Sequence, residues 1–267
     1  MLLTRALTAA VLLAAFLAAL FLLDRSQFAI VVSLVVGIGA HEWARLIKAP
    51  QLAAAAFAVV LALICFSLAR TMWGTLWICA LSCVFWISVA PYFLARGFRS
   101  APMGVGVGMV VGLAVLIPAG LAMSVLPPRQ LLMVLGLIWI SDTAAYLAGR
   151  AFGRRKLAPS ISPGKTWEGL AGGAIGCLIY AIIWATFDAD LRARVQGIFW
   201  IPFLAGTLLL CALGVVGDLF ESSLKRQAGA KDSGKLLPGH GGVLDRIDSA
   251  TATLPAALLL LLAMGMT

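Results

Sequence analysis

Charge is what this chain has least of. Only 12% of its 267 residues are Asp, Glu, Lys or Arg, against 62% hydrophobic, and the mean hydropathy is +1.04. Soluble domains run near 25% charged, so a water-soluble fold around one large core is excluded and a chain embedded in a bilayer is implied. Histidine is scarce too, His41 and His240 being the only two. The five cysteines (Cys65, Cys79, Cys83, Cys177, Cys211) all fall inside apolar stretches, form no C-x-x-C pair and are odd in number. This excludes a disulfide framework and a His/Cys zinc site; the thiols read as small core residues. The phosphate-loop pattern GxxxxGK[ST] is absent. So are internal repeats of the kind transporters carry, because the polar motifs cluster in the second half with no counterpart in the first.

What the chain has in quantity is hydrocarbon. Nine apolar runs lie near 6–23, 28–44, 51–69, 72–94, 103–125, 131–149, 169–187, 198–217 and 247–266. About 20 mainly apolar residues cross a bilayer as a helix. Long unbroken runs, rather than alternating ones, exclude a barrel. The expected fold is all-α: a single polytopic membrane domain of about nine transmembrane helices, with N-terminal helices in 1–128 and the polar motifs in 129–267. The first run follows a short basic start, as a signal peptide would. Its length and the lack of a small-residue cleavage site favour a retained helix. The glycines of "GVGVGMVVGL" and "GLAGGAIG" permit close helix packing, within one chain or across a homodimer.

Lysine and arginine set the expected orientation. With a cytoplasmic N-terminus, fifteen fall on the inner side: Arg5; Arg45 and Lys48; Arg96 and Arg99; Arg150, Arg154, Arg155, Lys156 and Lys165; Lys225, Arg226, Lys231, Lys235 and Arg246. Five fall outside: Arg25, Arg70, Arg129, Arg192 and Arg194. The C-terminus is then external, and the two longest polar loops, 150–168 and 218–246, share the cytoplasmic face. Most of the net +9 charge sits there, where it sets topology and meets anionic lipid; nucleic acid is not an expected partner.

Ionisable groups inside apolar runs are costly and therefore functional suspects. Asp142, in "GLIWISDTAAYLAGR", shares a helical face with Tyr146 and Gly149; a carboxylate paired with a neighbouring arginine is the alternative. Asp218, Ser222 and Lys225 line one face of "VVGDLFESSLKRQ". Asp245 and Asp248 fall on one face of the first turn of "LDRIDSATATLP", where capping alone would also suit them. These carboxylates and Asp218 would repel unless a cation sat among them, and magnesium takes one or two carboxylates plus substrate phosphates. The connecting "GAKDSGKLLPGHGGVLDR" mixes glycines, which let backbone amides approach a phosphate, with lysines. In "SISPGKTWEGLAGG" a Pro163-Gly164 turn presents Lys165 and Thr166 just before a helix start, a place that favours anions. His41 and Glu42 read as a helix-end hydrogen bond. His240 either shapes its loop or touches a substrate.

Ser222, Leu224, Lys225, Arg226, Lys231, Asp232, Gly234, Pro238, His240, Gly241, Gly242, Asp245, Arg246, Ile247 and Asp248 together resemble the signature of the phosphatidate cytidylyltransferases, or CDP-diglyceride synthetases, with no departure. The Trp139–Tyr146 and Ser162–Gly169 segments resemble that family's upstream features. The resemblance covers the C-terminal half; the N-terminal half fits only as hydrophobic helices. It implies a magnesium-assisted reaction of CTP with phosphatidate in the bacterial inner membrane, giving CDP-diacylglycerol and pyrophosphate at the cytoplasmic face, with a second cation such as potassium as a further candidate. Residues 129–267 would then be the catalytic half. The resemblance assigns Asp218 and Asp245 to metal, with Asp142 or Asp248 as additional candidates, Asp248 also counting among the catalytic residues. Lys165, Lys225, Arg226 and Arg246 go to phosphate. Ser162, Thr166 and Ser222 go to hydrogen bonds with nucleotide or phosphate, and Lys231, Asp232, His240, Gly241 and Gly242 to substrate. The rival reading is a transporter or channel that uses intramembrane acids. A CDP-alcohol phosphotransferase is excluded by the absence of D-G-x-x-A-R.

Overall fold

The computed structural model describes residues 2–96 and 103–266, with side chains from residue 7 onward. Arg99 and the side chain of Arg5, both counted above, lie outside the described residues. The helices are α1 (Leu2–Leu22), α2 (Arg25–Leu46), α3 (Gln51–Leu68) and α4 (Met72–Val84), the last running through a π turn at Phe85–Val89 into α5 (Ala90–Arg96). Then come α6 (Val105–Val125), α7 (Pro128–Phe152), a hairpin of β1 (Lys156–Ala158) and β2 (Ser162–Thr166), α8 (Trp167–Phe187), the short α9 (Ala189–Arg194), α10 (Trp200–Ala228) and α11 (Leu244–Ala263). The antiparallel hairpin, with Lys156 opposite Thr166, departs from the all-α expectation. Eight helices among the described residues are long and apolar enough to cross a membrane; the described part of α1, Leu7–Leu22, is a shorter apolar helix.

Local chemistry sets the helix ends. Asp24 and Gln27 form a capping box at α2, each side chain accepting from the other's backbone N–H. Pro128 opens α7, where a missing N–H costs nothing. Gly229, at φ 75°, ends α10 in the left-handed conformation. The helices also outrun the hydropathy pattern. The run read as 198–217 becomes the 29-residue α10, and α11 begins at Leu244 rather than 247. Hydropathy marks where hydrocarbon ends, whereas the helix continues while its backbone bonds can close. The polar loops consequently shrink to 153–166 and 229–243.

α2, α6 and α11 have 61% of their apolar stretch buried, against 22% for α3, α8 and α10. The first three form the centre and the others face outward. Both glycine-rich stretches pack within this chain. Gly173 of α8 sits so close to α7 that an added Cβ would lie 3.1 Å from the Ser141 carbonyl. The α6 stretch lies against α2, where Trp43 donates to the Gly108 carbonyl at 2.8 Å. Successive helices alternate ends. Thr8 of α1 donates to the Pro238 carbonyl at one end; at the other, Gln130 donates to Met266 and Arg194 to Met264.

Candidate active site

The polar segments gather at one end of the bundle, on the helix termini that the fold brings together there. α10 is wedged into place by Phe220, whose ring lies 5.6 Å from Phe85, 5.5 Å from Trp86 and 6.3 Å from Trp43. This aromatic nest fixes the turn that carries Asp218, Glu221 and Ser222.

Three carboxylates face a common space from three helices: Asp142 of α7, Asp218 of α10 and Asp248 of α11, each within electrostatic reach of the others. Asp142 is exposed, while Asp218 and Asp248 are half-buried. Ser222 Oγ donates to Asp218 Oδ1 at 3.1 Å. The β hairpin supplies the cation: Lys165 Nζ lies 2.6 Å from Asp218 Oδ2. Thr166 is buried and caps α8, accepting from Gly169 N at 3.1 Å. Glu168 accepts from the backbone N–H groups of Arg154 and Arg155 at 3.0 and 3.2 Å, holding the hairpin base. Arg226 Nε donates to the Ile161 carbonyl at 3.2 Å, so the end of α10 touches this first loop.

The second loop is built around two carboxylates. Asp245 Oδ1 takes Lys225 Nζ at 2.6 Å. Asp245 Oδ2 accepts from Ser233 N at 2.8 Å and Gly242 N at 2.8 Å, with Ser233 Oγ 2.9 Å away. Gly241 adopts φ 80°, and a side chain there would also collide with Asp245. Glu42, from α2, accepts from Val243 N at 3.1 Å and Leu244 N at 2.8 Å, with Ser233 Oγ 3.0 Å away. It therefore caps α11 from another helix. Lys225 is buried between Asp245 and Glu221, with which it also forms an ion pair.

The expected site residues thus fall into three groups. Asp142, Asp218, Asp248, Lys165 and Ser222 converge. Lys225, Asp245, Gly241, Gly242 and Thr166 frame them. Arg226, Lys231, Asp232 and Arg246 are exposed around the rim, with Ser162 and His240 half-buried near it. His240 Nδ1 is buried without a hydrogen-bond partner among the described residues.

The sequence profile of the cytidylyltransferase family matches residues 3–264. The chain belongs to that family. A Pseudomonas aeruginosa protein named phosphatidate cytidylyltransferase is 39% identical over 281 residues, covering 99% of this chain and 98% of its own length. A Haemophilus influenzae protein of the same name is 50% identical over 125 residues, 47% of this chain and 43% of that protein. One from Staphylococcus haemolyticus is 46% identical over 127 residues, 48% of this chain and 46% of that protein. The last two alignments span only about half of each relative; the first spans nearly all of both chains.

Within this family member the donor set suits a hard cation in kind, since Asp142, Asp218, Asp248 and Ser222 offer only oxygen. Among the described residues no three His, Cys, Asp or Glu side chains are close enough to hold one ion by themselves. Magnesium usually takes one or two carboxylates and completes its shell with water and phosphate oxygens. Both carboxylates have both oxygens engaged: Asp218 by Ser222 and Lys165, Asp245 by Lys225 and by the N–H groups of Ser233 and Gly242.

Glu42, Glu168, Glu221 and Ser233 were not singled out as site residues by the sequence reading. Glu42 is a carboxylate inside an apolar run, the same signal that marked Asp142, and Glu221 lies just beyond the end of one. Ser233 carries no signal outside the fold.

Proposed function

We propose that this chain is a phosphatidate cytidylyltransferase, converting CTP and phosphatidate to CDP-diacylglycerol and pyrophosphate. The observation that carries the reading is the meeting of Lys165 with Asp218 at 2.6 Å. It joins a polar loop, reachable by a soluble nucleotide, to a helix end at the level of a lipid headgroup. Nine crossings, counting α1, with the N-terminus cytoplasmic and the C-terminus outside, put this end of the bundle in the cytoplasm, where CTP is made available. The fifteen-to-five split of basic residues supports that orientation.

In the reaction an oxygen of the lipid phosphate attacks the α-phosphorus of CTP. The bond from that phosphorus to the oxygen bridging the β-phosphate breaks, and pyrophosphate leaves with the bonding electrons. A phosphate monoester has a second pKa of about 6, so it arrives mostly dianionic and needs little help from a base. What it needs is neutralisation and alignment. Lys165, Arg226 and Arg246 lie where they can neutralise the triphosphate. Ser222 orients Asp218, and Asp245 holds Lys225 and the glycine loop in position. Asp218, with Asp142 or Asp248 beside it, would hold magnesium, which when bound supplies positive charge to phosphate oxygens.

The test is turnover by the purified protein in detergent with labelled CTP and phosphatidate, with and without magnesium. Label in CDP-diacylglycerol, dependent on the metal, is the expected result. Absence of lipid-linked label, together with CTP-dependent solute uptake in proteoliposomes, would overturn it in favour of a transporter.

A further inference from the structure

The end of the bundle away from the carboxylates holds an apolar cavity of about 510 Å³. It lies among α7, α8, α10 and α11, with Met133, Tyr180, Phe203 and Leu260 in its walls and Arg194 at its rim. Gly206 keeps it open, because an added Cβ would already stand 3.4 Å from Leu260. The volume falls within the range of roughly 300–1,000 Å³ typical of small-molecule sites. Water is a poor occupant, since a buried water needs two to four polar partners and these walls are almost wholly apolar. Leaving the space empty would forfeit the dispersion contacts of all its lining atoms. Within a bilayer the filler at hand is a hydrocarbon chain.

The cavity is separate from the active site. Its inner end, at Leu137 and Leu210, meets a recess of only about 10 Å³ beside Asp142. Ser141 Oγ and Cys211 Sγ close that recess at 3.3 Å. A substrate tail cannot thread from the carboxylates through so narrow a gap, and the one charged side chain lining the cavity, Arg194, stands at its opposite end. There Arg194 donates through Nη1 to the Met264 carbonyl at 2.6 Å, which holds the guanidinium over the end of α11. Gly265, at φ 68°, lies directly beneath it. One such bond leaves most of the five guanidinium donors for an anion, and the fork geometry matches phosphate.

We infer that this cavity is a phospholipid site distinct from the catalytic one, taking one acyl chain while Arg194 binds the lipid phosphate. The lipid belongs to the leaflet opposite the active site. It braces α10 and α11, the two helices that carry Asp218, Asp245 and Asp248 at their other ends.

The test uses the full-length protein in detergent, with phosphatidylglycerol or diacylglycerol of the same chains titrated in. Retention is read by native mass spectrometry and the melting temperature is read in parallel. Phosphatidylglycerol is expected to be retained and to raise the melting temperature, and diacylglycerol to bind much more weakly. Arg194→Gln should weaken phosphatidylglycerol about ten- to a hundredfold, the effect of losing a charge-assisted hydrogen bond. Gly206→Leu should abolish retention of both lipids by filling the space. CTP turnover with short-chain phosphatidate, retained in both variants, certifies their fold. If Gly206→Leu does not fold, Leu260→Phe serves in its place. Equal retention by wild type and both variants, or equal binding of the two lipids, would overturn the site. Neither result bears on the cytidylyltransferase reading, which stands or falls on wild-type turnover.

Discussion

The two polar loops have similar chemistry and opposite anchoring. Loop 153–166 is a hairpin whose turn, at Pro159-Ser160, is exposed. It is held by Glu168 at its base, by Lys165 on Asp218 and by Arg226 on Ile161. The Glu168 and Arg226 bonds face solvent and the Lys165–Asp218 pair is only partly covered, so water competes and a hydrogen bond there contributes a net of only about 0.5–1.5 kcal/mol. Loop 229–243 is instead tied inward to Asp245 and Glu42, the latter only 6% exposed. There each unmatched donor would carry its full desolvation penalty. A basic, glycine-bearing loop can therefore be an arm or a scaffold, and the difference lies in whether its acceptors are wet or dry. The first loop presents a lysine; the second fixes the geometry it is presented to.

The largest expected effect comes from the dry side. Asp245→Ala leaves the buried Lys225 with Glu221 alone and strands the N–H groups of Ser233 and Gly242. Removing one partner of a buried ion pair typically costs about 3–5 kcal/mol. Turnover should fall below detection and the unfolding temperature in detergent should drop together with it. A protein as stable as wild type would show that Asp245 is not the hub of the scaffold, and the contrast between the loops would collapse.

Next comes Glu42, which touches no group expected to meet substrate. Glu42→Ala should destabilise by about 1–3 kcal/mol for each buried donor left unmatched and lower turnover at saturating CTP. Glu42→Gln, which keeps an amide oxygen, should recover part of both. If the alanine variant changed only the CTP requirement, Glu42 would be a binding residue rather than a support.

Smaller still, and confined to the arm, is Lys165→Ala. It should raise the CTP requirement or lower turnover about ten- to a hundredfold, without altering stability or orientation. Arg154→Ala, an exposed charge in the same loop, should change activity by less than about twofold. Equal, mild losses in both variants would mean that the arm does not reach the nucleotide.

These contrasts also mark what was legible in the sequence. Asp218, Ser222 and Lys225 at helical spacing announced one face of what is α10. The helix start after Lys165 holds too, at Trp167, but the expected Pro163-Gly164 turn is part of strand β2, because the chain pairs there with Lys156–Ala158. The fold brings Lys165 and Asp218 together. Local spacing identifies such ends because a helix repeats within a few residues. It cannot say which ends meet. Glu42 accepts from Leu244, 202 positions away, and nothing near His41 reveals that its neighbour caps the last helix. Nor does the "LDRID" motif distinguish a carboxylate open to an ion from one saturated by amides, since that depends on where Ser233 and Gly242 are folded. The β hairpin escaped for the opposite reason: its strands of three and five residues are too short to set up a period.

The cap that Glu42 places on α11 also orders events during synthesis. α2 enters the membrane early, carrying a carboxylate that has no matching donors until the last helix arrives with the N–H groups of Val243 and Leu244. Until α11 is in place Glu42 lacks the two backbone donors that it meets in the folded chain, so this carboxylate can be buried at low cost only once α2 and α11 have met. The bond between them couples the packing of the first half of the chain to that of the second, like a clasp that shuts only when both ends are present.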